Sequence, residues 1–352
     1  MKWMTKAQYG VDLGHRTIKG LKLVKRSGKV HLDTFFYHDL AEGNDTFPAV
    51  KNLGETLKGI CEVKGFSGKA VASSIDDSEV ETFDLILPTM PENDLRSAVM
   101  NEVESRISYP VEEASVDYVR LSTSKDDNQE NVALKAYCLK VERIKSHLAL
   151  LKSASLTASS METSMLANIA MLEFNSYLDD DGSTVIVDLG ETKANIGLLL
   201  GRKLAMMHSV STSLGTINGN LMRKLGISYL EAEAIKVKSS SRSDDDGSPE
   251  VLQIVDETYL ELFHQLQKAI EYFRATARVQ KLARIFLIGG GSQYQPVASL
   301  IERTCRAETV VVNPFRNIEI FAKDKPENEK IADLSPYMST AVGLALRGLD
   351  GR

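Results

Sequence analysis

The chain has 352 residues, 43% hydrophobic and 26% charged, with a net charge of −6; this is enough to bury a core split into two or three units and excludes a globally disordered chain. The acidic balance lacks the Lys/Arg excess that phosphate-backbone binding needs, so nucleic acid is not an expected partner. Cys61, Cys138 and Cys305 are odd in number, far apart and form no C-x-x-C, which argues against a disulfide framework or zinc site and for a reducing compartment. No apolar run approaches the ~20 residues of a membrane helix, and the opening MKWMTKAQYGVDLG has no apolar signal region.

In chain order, YGVDLGHRTIKGLKLV (9–24) predicts a strand, a tight turn at Gly14 and a second strand, with Lys29–Phe35 a third. Val50, Leu53, Leu57 and Ile60 share a helical face, and KAVASSI follows as a short strand. A separate module then runs from Glu79 to Leu151: a strand ending at Pro88, a helix from Pro91 to Pro110 carrying Leu95, Val99, Val103 and Ile107 inward, strands Val116–Leu121 and Val132–Leu139 around the polar hairpin SKDDNQEN, and a helix Val141–Leu151. This β-α-β-β-α unit reads as an inserted subdomain.

A helix near Glu162–Phe174 leads to TVIVDLGETKANIGLLLGRKLAMMHSV, which repeats the opening three-strand design half a chain length after the first copy. Helices follow at Gly219–Leu225 and Tyr229–Lys238, then a polar loop at Ser239–Pro249, a long amphipathic helix Val251–Thr276, the buried strand of ARIFLIGGGSQ, and a small-residue helix Tyr337–Leu349.

An aspartate closing a buried strand before a glycine turn puts a carboxylate and several backbone N–H groups at one sheet edge, an arrangement that suits a phosphate and a Mg²⁺ ion. Asp12 and Asp188 occupy that position in the two VDLG copies. Lys19 reads either as a point charge reaching phosphates or as an exposed strand charge. Gly289, Gly290, Gly291 and Ser292 follow a strand and read equally as a nucleotide loop or a structural turn. Glu233 and Lys236 share a helical face, by default a surface ion pair. His15 and Arg16 sit inside the first turn, where a cation aids phosphate binding and a bulky side chain hinders it. The chain has no G-x-x-x-x-G-K-[ST], which excludes a P-loop, and no G-x-G-x-x-G.

In this order, VDLGHRTIK, VDLGETKANI, AEAIK, LIGGGS and YMSTAVGLALRGL resemble the two phosphate segments, the adenosine helix, the adenosine loop and a connecting helix of actin-like ATPases. The segments LPTMPENDLRSAVMNEVESRISYPVEEASVDYVRL, LGISYLEAEAIK and LIGGGSQYQPVASLIE are similar to the PilM family of type IV pilus assembly, over nearly the whole chain. The resemblance implies an α/β, actin-like ATPase fold: two RNase-H-like domains around a nucleotide cleft, with an FtsA-type insert. The expected units are 1–78, 152–178 and 335–352; the insert 79–151; 179–215 with 284–334; and 216–283. It implies ATP and Mg²⁺ as cofactors. Asp12, Gly14, His15, Arg16, Thr17 and Lys19 then face Asp188, Gly190, Glu191, Thr192 and Asn195 across the phosphates, the two aspartates hold Mg²⁺ through water, and Glu233, Lys236, Gly289, Gly290, Gly291 and Ser292 lie on the ribose and base side. The implied role is a cytoplasmic adaptor with at most weak ATPase activity, peripheral to the inner membrane. It would bind the cytoplasmic N-terminal tail of a PilN-like membrane protein in a groove between the first domain and the insert. A GspL-like secretion scaffold, a nucleotide-free pseudo-ATPase and a small-molecule kinase of the same superfamily stand as alternatives, and a homo-oligomer is left open. The chain departs from the family pattern at His15 and Arg16, where small serines are usual, and at Glu191.

Overall fold

The structure is a computed structural model describing residues 6–40, 52–126, 129–211, 213–240, 249–320 and 331–350; Val50 and most of the polar 239–249 loop lie outside them. Strands β1 (Lys6–Leu13), β2 (Thr17–Arg26) and β3 (Lys29–Asp39) form the expected meander. Ser27 and Gly28, both at positive φ, make the two-residue β2–β3 turn, the handedness that matches strand twist. Helix α1 (Leu53–Lys64) and β4 (Ala70–Ile75) follow. The sheet is completed by β8 (Thr157–Thr163) beside β4 and β14 (Glu319–Ile320) beside β3, in the order β14-β3-β2-β1-β4-β8. Strand β8 has the sequence TASSMET, whose small polar residues carry no hydrophobic alternation, and so is invisible to a periodicity reading.

Between β4 and β8 stand β5 (Glu81–Pro88), α2 (Glu92–Glu104), β6 (Ala114–Asp126), β7 (Gln129–Lys140) and α3 (Val141–Ser153). β5, β7 and β6 form a separate three-stranded sheet. Leu85, Leu95, Val99, Val103, Val132, Leu134 and Cys138 close its core against α2, each such side chain contributing about 1.5–3 kcal/mol. Helix α2 ends at Glu104 rather than Pro110, and Ile107 packs on this core from beyond the helix. The sequence reading differs from the structure at α3: Leu151 lies with Leu57, Cys61, Phe66 and Val71 in the core of the first sheet, on the face opposite α4 (Ser164–Phe174). Its apolar spacing reports a buried face without naming the sheet that buries it.

The second sheet has the order β11-β10-β9-β12-β13, from β9 (Ser183–Leu189), β10 (Ala194–Leu200), β11 (Lys203–Val210), β12 (Arg284–Ile288) and β13 (Glu308–Val311). Helices α5 (Leu214–Leu225), α6 (Tyr229–Ser240), α7 (Pro249–Thr276) and α8 (Gln295–Cys305) cover one face, with Ile254, Tyr259, Leu262, Leu266 and Phe273 of α7 buried in it.

Helices α4 and α9 (Ser339–Asp350) lie between the two sheets. Their core joins Leu21 and Leu23 of the first sheet to Ile186, Leu199 and Phe286 of the second through Met165, Leu172, Met338 and Ala345. The approach is close enough to require glycine: a Cβ on Gly343 would collide with the Ala167 carbonyl of α4, and one on Gly10 with the Ala341 carbonyl of α9. Both VDLG strands therefore end at the same opening between the lobes.

Candidate functional site

The two turns are built alike. In the first, the Gly14 N–H donates to the Thr17 carbonyl at 3.1 Å, and Asp12 is registered opposite Lys19. In the second, the Gly190 N–H donates to the Lys193 carbonyl at 3.1 Å, and Asp188 is opposite Asn195. They face one another across a cavity of about 250 Å³. Asp12, Gly14, His15, Arg16, Thr17, Lys19, Asp188, Gly190, Glu191, Thr192, Asn195, Glu233, Lys236, Gly289, Gly290 and Gly291 all line it. Ser292 stands behind the wall, its hydroxyl donating to the Gly289 carbonyl at 2.7 Å.

At the inner end the Lys19 ammonium is 2.6 Å from Asp12, whose other oxygen accepts from the Ser74 hydroxyl at 2.7 Å. Lys19 is thus an internal counter-charge at the sheet edge. Burial pushes the Asp188 carboxyl up to about 6; Lys19 opposes that shift, and the charge of Asp12 adds to it. Among the described residues no three His, Cys, Asp or Glu side chains converge as a metal site. Gly289, at φ 79, lies where a Cβ would press on the Asp188 carboxylate.

At the outer end Glu233 and Lys236 are no surface pair. Lys236 is 8% exposed, its ammonium is 2.7 Å from Glu233, and Asn218 donates to the same carboxylate at 2.7 Å. Burial works against the Glu233 charge, yet Lys236, Arg16 and Asn218 outweigh it and hold the carboxyl below its ordinary value. Glu191 goes the other way, pushed up by burial despite Lys236 and Arg16, and it accepts from the Tyr229 hydroxyl at 3.0 Å. Arg16 crosses the opening to reach this cluster: one nitrogen is 2.5 Å from Glu233 and donates to Tyr229 at 3.1 Å, while the others hold Asp39 at 2.7 to 3.3 Å. Tyr37, Tyr259, Tyr294 and Tyr337 complete the wall near the glycine loop, Tyr259 and Tyr294 stacked at 4.0 Å.

Sequence reasoning missed these tyrosines, as well as Asp76, Ser74 and Lys193. The Lys193 ammonium donates to Asp76 at 2.8 Å, a second tie between the lobes, with the half-exposed His15 ring 3.6 Å from the same carboxylate. Asp76 directly follows β4, parallel to β1, so the strand-end rule that finds Asp12 also finds it once β4 is placed. Beside it Asp77 is 2% exposed, and one of its oxygens accepts from the Met165 N–H at 3.0 Å. Burial, with Asp188 and Asp76 adding to it, pushes the Asp77 carboxyl up to about 7 from 3.8. Between about pH 4 and 7 the folded protein keeps a proton that the unfolded chain has released, so stability falls as pH rises through that window. Asp77→Asn should remove this slope and raise stability at pH 8 by about 1–3 kcal/mol relative to its effect at pH 4, read as the pH dependence of urea midpoints.

Two β-sheets joined by a close helix pair, with paired Asp-Leu-Gly turns at the opening between them, define the actin-like ATPase fold. The sequence profile of the family described as type IV pilus assembly protein PilM matches residues 10–349, and the chain belongs to that family. Among solved structures, it is similar to a chain of a PilM-PilN type IV pilus biogenesis complex at 21% identity, covering 97% of this chain and 98% of that one with a TM-score of 0.81. The ethanolamine utilization protein EutJ from Carboxydothermus hydrogenoformans matches at 14% identity, 97% and 89% coverage and a TM-score of 0.54. MreB 5 of Spiroplasma citri, solved with AMPPNP, matches at 10% identity, 89% and 93% coverage and a TM-score of 0.50.

Proposed function

We propose that this protein is an adaptor of type IV pilus assembly that holds the cytoplasmic tail of a PilN-like membrane protein, with ATP and Mg²⁺ in its cleft. The observation that carries the reading is family membership over residues 10–349, supported by likeness along the whole length to a chain from a PilM-PilN complex. Its place is the cytoplasmic face of the inner membrane, reached through that partner; among the described residues no helix is long and apolar enough to cross a membrane.

The residues at the turns fit a nucleoside triphosphate. Gly14 and Gly190 leave the backbone open, Lys19 and Lys193 supply cations, and Asp12 and Asp188 would hold Mg²⁺ through its waters. Glu233 and Lys236 would take the ribose, and the Gly289–Gly291 turn the base. When bound, Mg²⁺ offsets the triphosphate charge beside Glu191. Function lies in binding, with cleft angle coupled to partner affinity, and turnover is at most weak. The four units expected from sequence stand as our division of the chain, with α3 moved to the first.

The outer face of the three-stranded sheet is the proposed seat of the tail. Ile86 is 74% and Val119 44% exposed there, flanking Lys135, whose ammonium is 2.5 Å from Asp84. Tyr137 on the same face feels the charges of Arg347 and Asp77, so this face borders the first lobe. Exposed apolar side chains rimmed by polar ones mark sites of protein–protein contact. Fluorescence anisotropy with a labelled PilN-like tail peptide should give saturable binding, weakened at least ten-fold by Ile86→Glu with an unchanged Tm. Equal binding by the variant would move the site elsewhere, no binding by either protein would remove the adaptor reading, and phosphotransfer to a sugar would replace it with a kinase.

A further inference from the structure

We infer that Arg16 is an internal ligand: it closes the cleft without nucleotide by occupying Glu233, the carboxylate a ribose would need. The inference rests on the nucleotide reading above and adds how the site is regulated. Arg16 is fixed to its own lobe at Asp39, which ends β3, through Nε and one terminal nitrogen. Its remaining nitrogen reaches Glu233 and Tyr229 on α6 of the other lobe, with Glu191 at 3.8 Å. The guanidinium is also 5.7 Å from the Tyr229 ring centroid. Its planar fork satisfies both lobes at once, which a lysine point charge does not do. The side chains alone of Arg16, Glu191, Glu233 and Lys236 are 15%, 8%, 17% and 9% exposed, so these contacts are shielded from the solvent screening that makes surface pairs weak.

The pairing lets this latch open without stranding a charge. When Arg16 leaves Glu233, that carboxylate keeps Lys236 at 2.7 Å and the Asn218 amide, while Arg16 keeps Asp39 at 2.7 Å. Removing one partner of a buried pair is costly chiefly because the other is left unpaired, and here neither is. The lobes therefore have two satisfied arrangements, closed on Arg16 or with Glu233 released for ribose hydroxyls, and a ligand that needs the second competes with the latch.

The test uses the full chain with spin labels at Val63→Cys on α1 and Tyr272→Cys on α7, both exposed and outside the cavity lining, read by double electron–electron resonance, beside calorimetry with adenosine and with ATP plus Mg²⁺. Arg16→Ser is expected to lengthen and broaden the nucleotide-free distance and to tighten adenosine and ATP alike, by at least five-fold. Asp39→Asn keeps the cation but loosens its anchor, and should do the same in part. An unchanged nucleotide-free distance in both variants overturns the latch. A weaker ATP signal with adenosine unchanged also overturns it, making Arg16 a phosphate ligand instead. A wider cleft with no nucleotide bound by any of the proteins upholds the latch and removes the nucleotide reading.

Discussion

Gly343→Val is expected to cost the fold about 3 kcal/mol or more and to yield little soluble protein. Position 343 faces α4 with no room for a Cβ, because the Ala167 carbonyl already fills that space. A helix backbone is held rigid by its own hydrogen bonds, so relief requires moving the whole of α9 away from α4. That would open the core made by Met165, Leu172, Val342 and Ala345. Overpacking typically costs 1–3 kcal/mol where side chains alone can shift, and here backbone meets backbone. Gly348→Ala on the same helix is the control: its Cβ would meet the far end of the Gln8 side chain, which can swing away, so a Tm drop several times smaller is expected. Equal losses in thermal unfolding would show that the crossing does not set the effect, because either replacement of a helical glycine improves helix propensity.

Asp188→Ala is expected to reduce the affinity for ATP with Mg²⁺ by about a hundred-fold, equivalent to about 2.7 kcal/mol, while leaving the fold intact or more stable at neutral pH. The two effects have one origin. A carboxyl buried by its surroundings, beside Asp12, is held above its ordinary value, so its charge is a cost in the empty cleft that a cation would offset. Thr192→Ala, at the exposed lip of the same turn, should change affinity less. Calorimetry of both variants against wild type checks this, and undiminished binding by Asp188→Ala would remove the second turn from the site.

How much of this could be read in advance varies from residue to residue. The VDLG turns were legible because strand, carboxylate and glycine are local, and registers such as Asp188 opposite Asn195 follow from turn length. The i, i+3 spacing of Glu233 and Lys236 gave a shared face but not its burial, because the lid over that face is Arg16 and Tyr37 from the other lobe. Asp76, Lys193 and the four tyrosines come from six segments that only tertiary packing gathers. Strand β8 and the true seat of α3 were lost for the same reason: a short polar strand and a half-apolar helix take their roles from neighbours. Departures at His15, Arg16 and Glu191 were visible as oddities, and the cleft shows Arg16 and Glu191 within one charge network.

The packing of α9 on β1 and β4 bears on how the chain is made. The first three strands leave the ribosome early, yet Gly10 and Leu21 find their cover on a helix more than three hundred residues later. The second sheet draws on one unbroken stretch and is complete sooner. The lobe synthesised first therefore finishes last, and its closing step is a very long loop, which adds modestly to the entropic cost but strongly slows folding. During that interval the apolar face of the β1–β2 hairpin is open to solvent, a window in which chaperone supply, rather than final stability, decides yield.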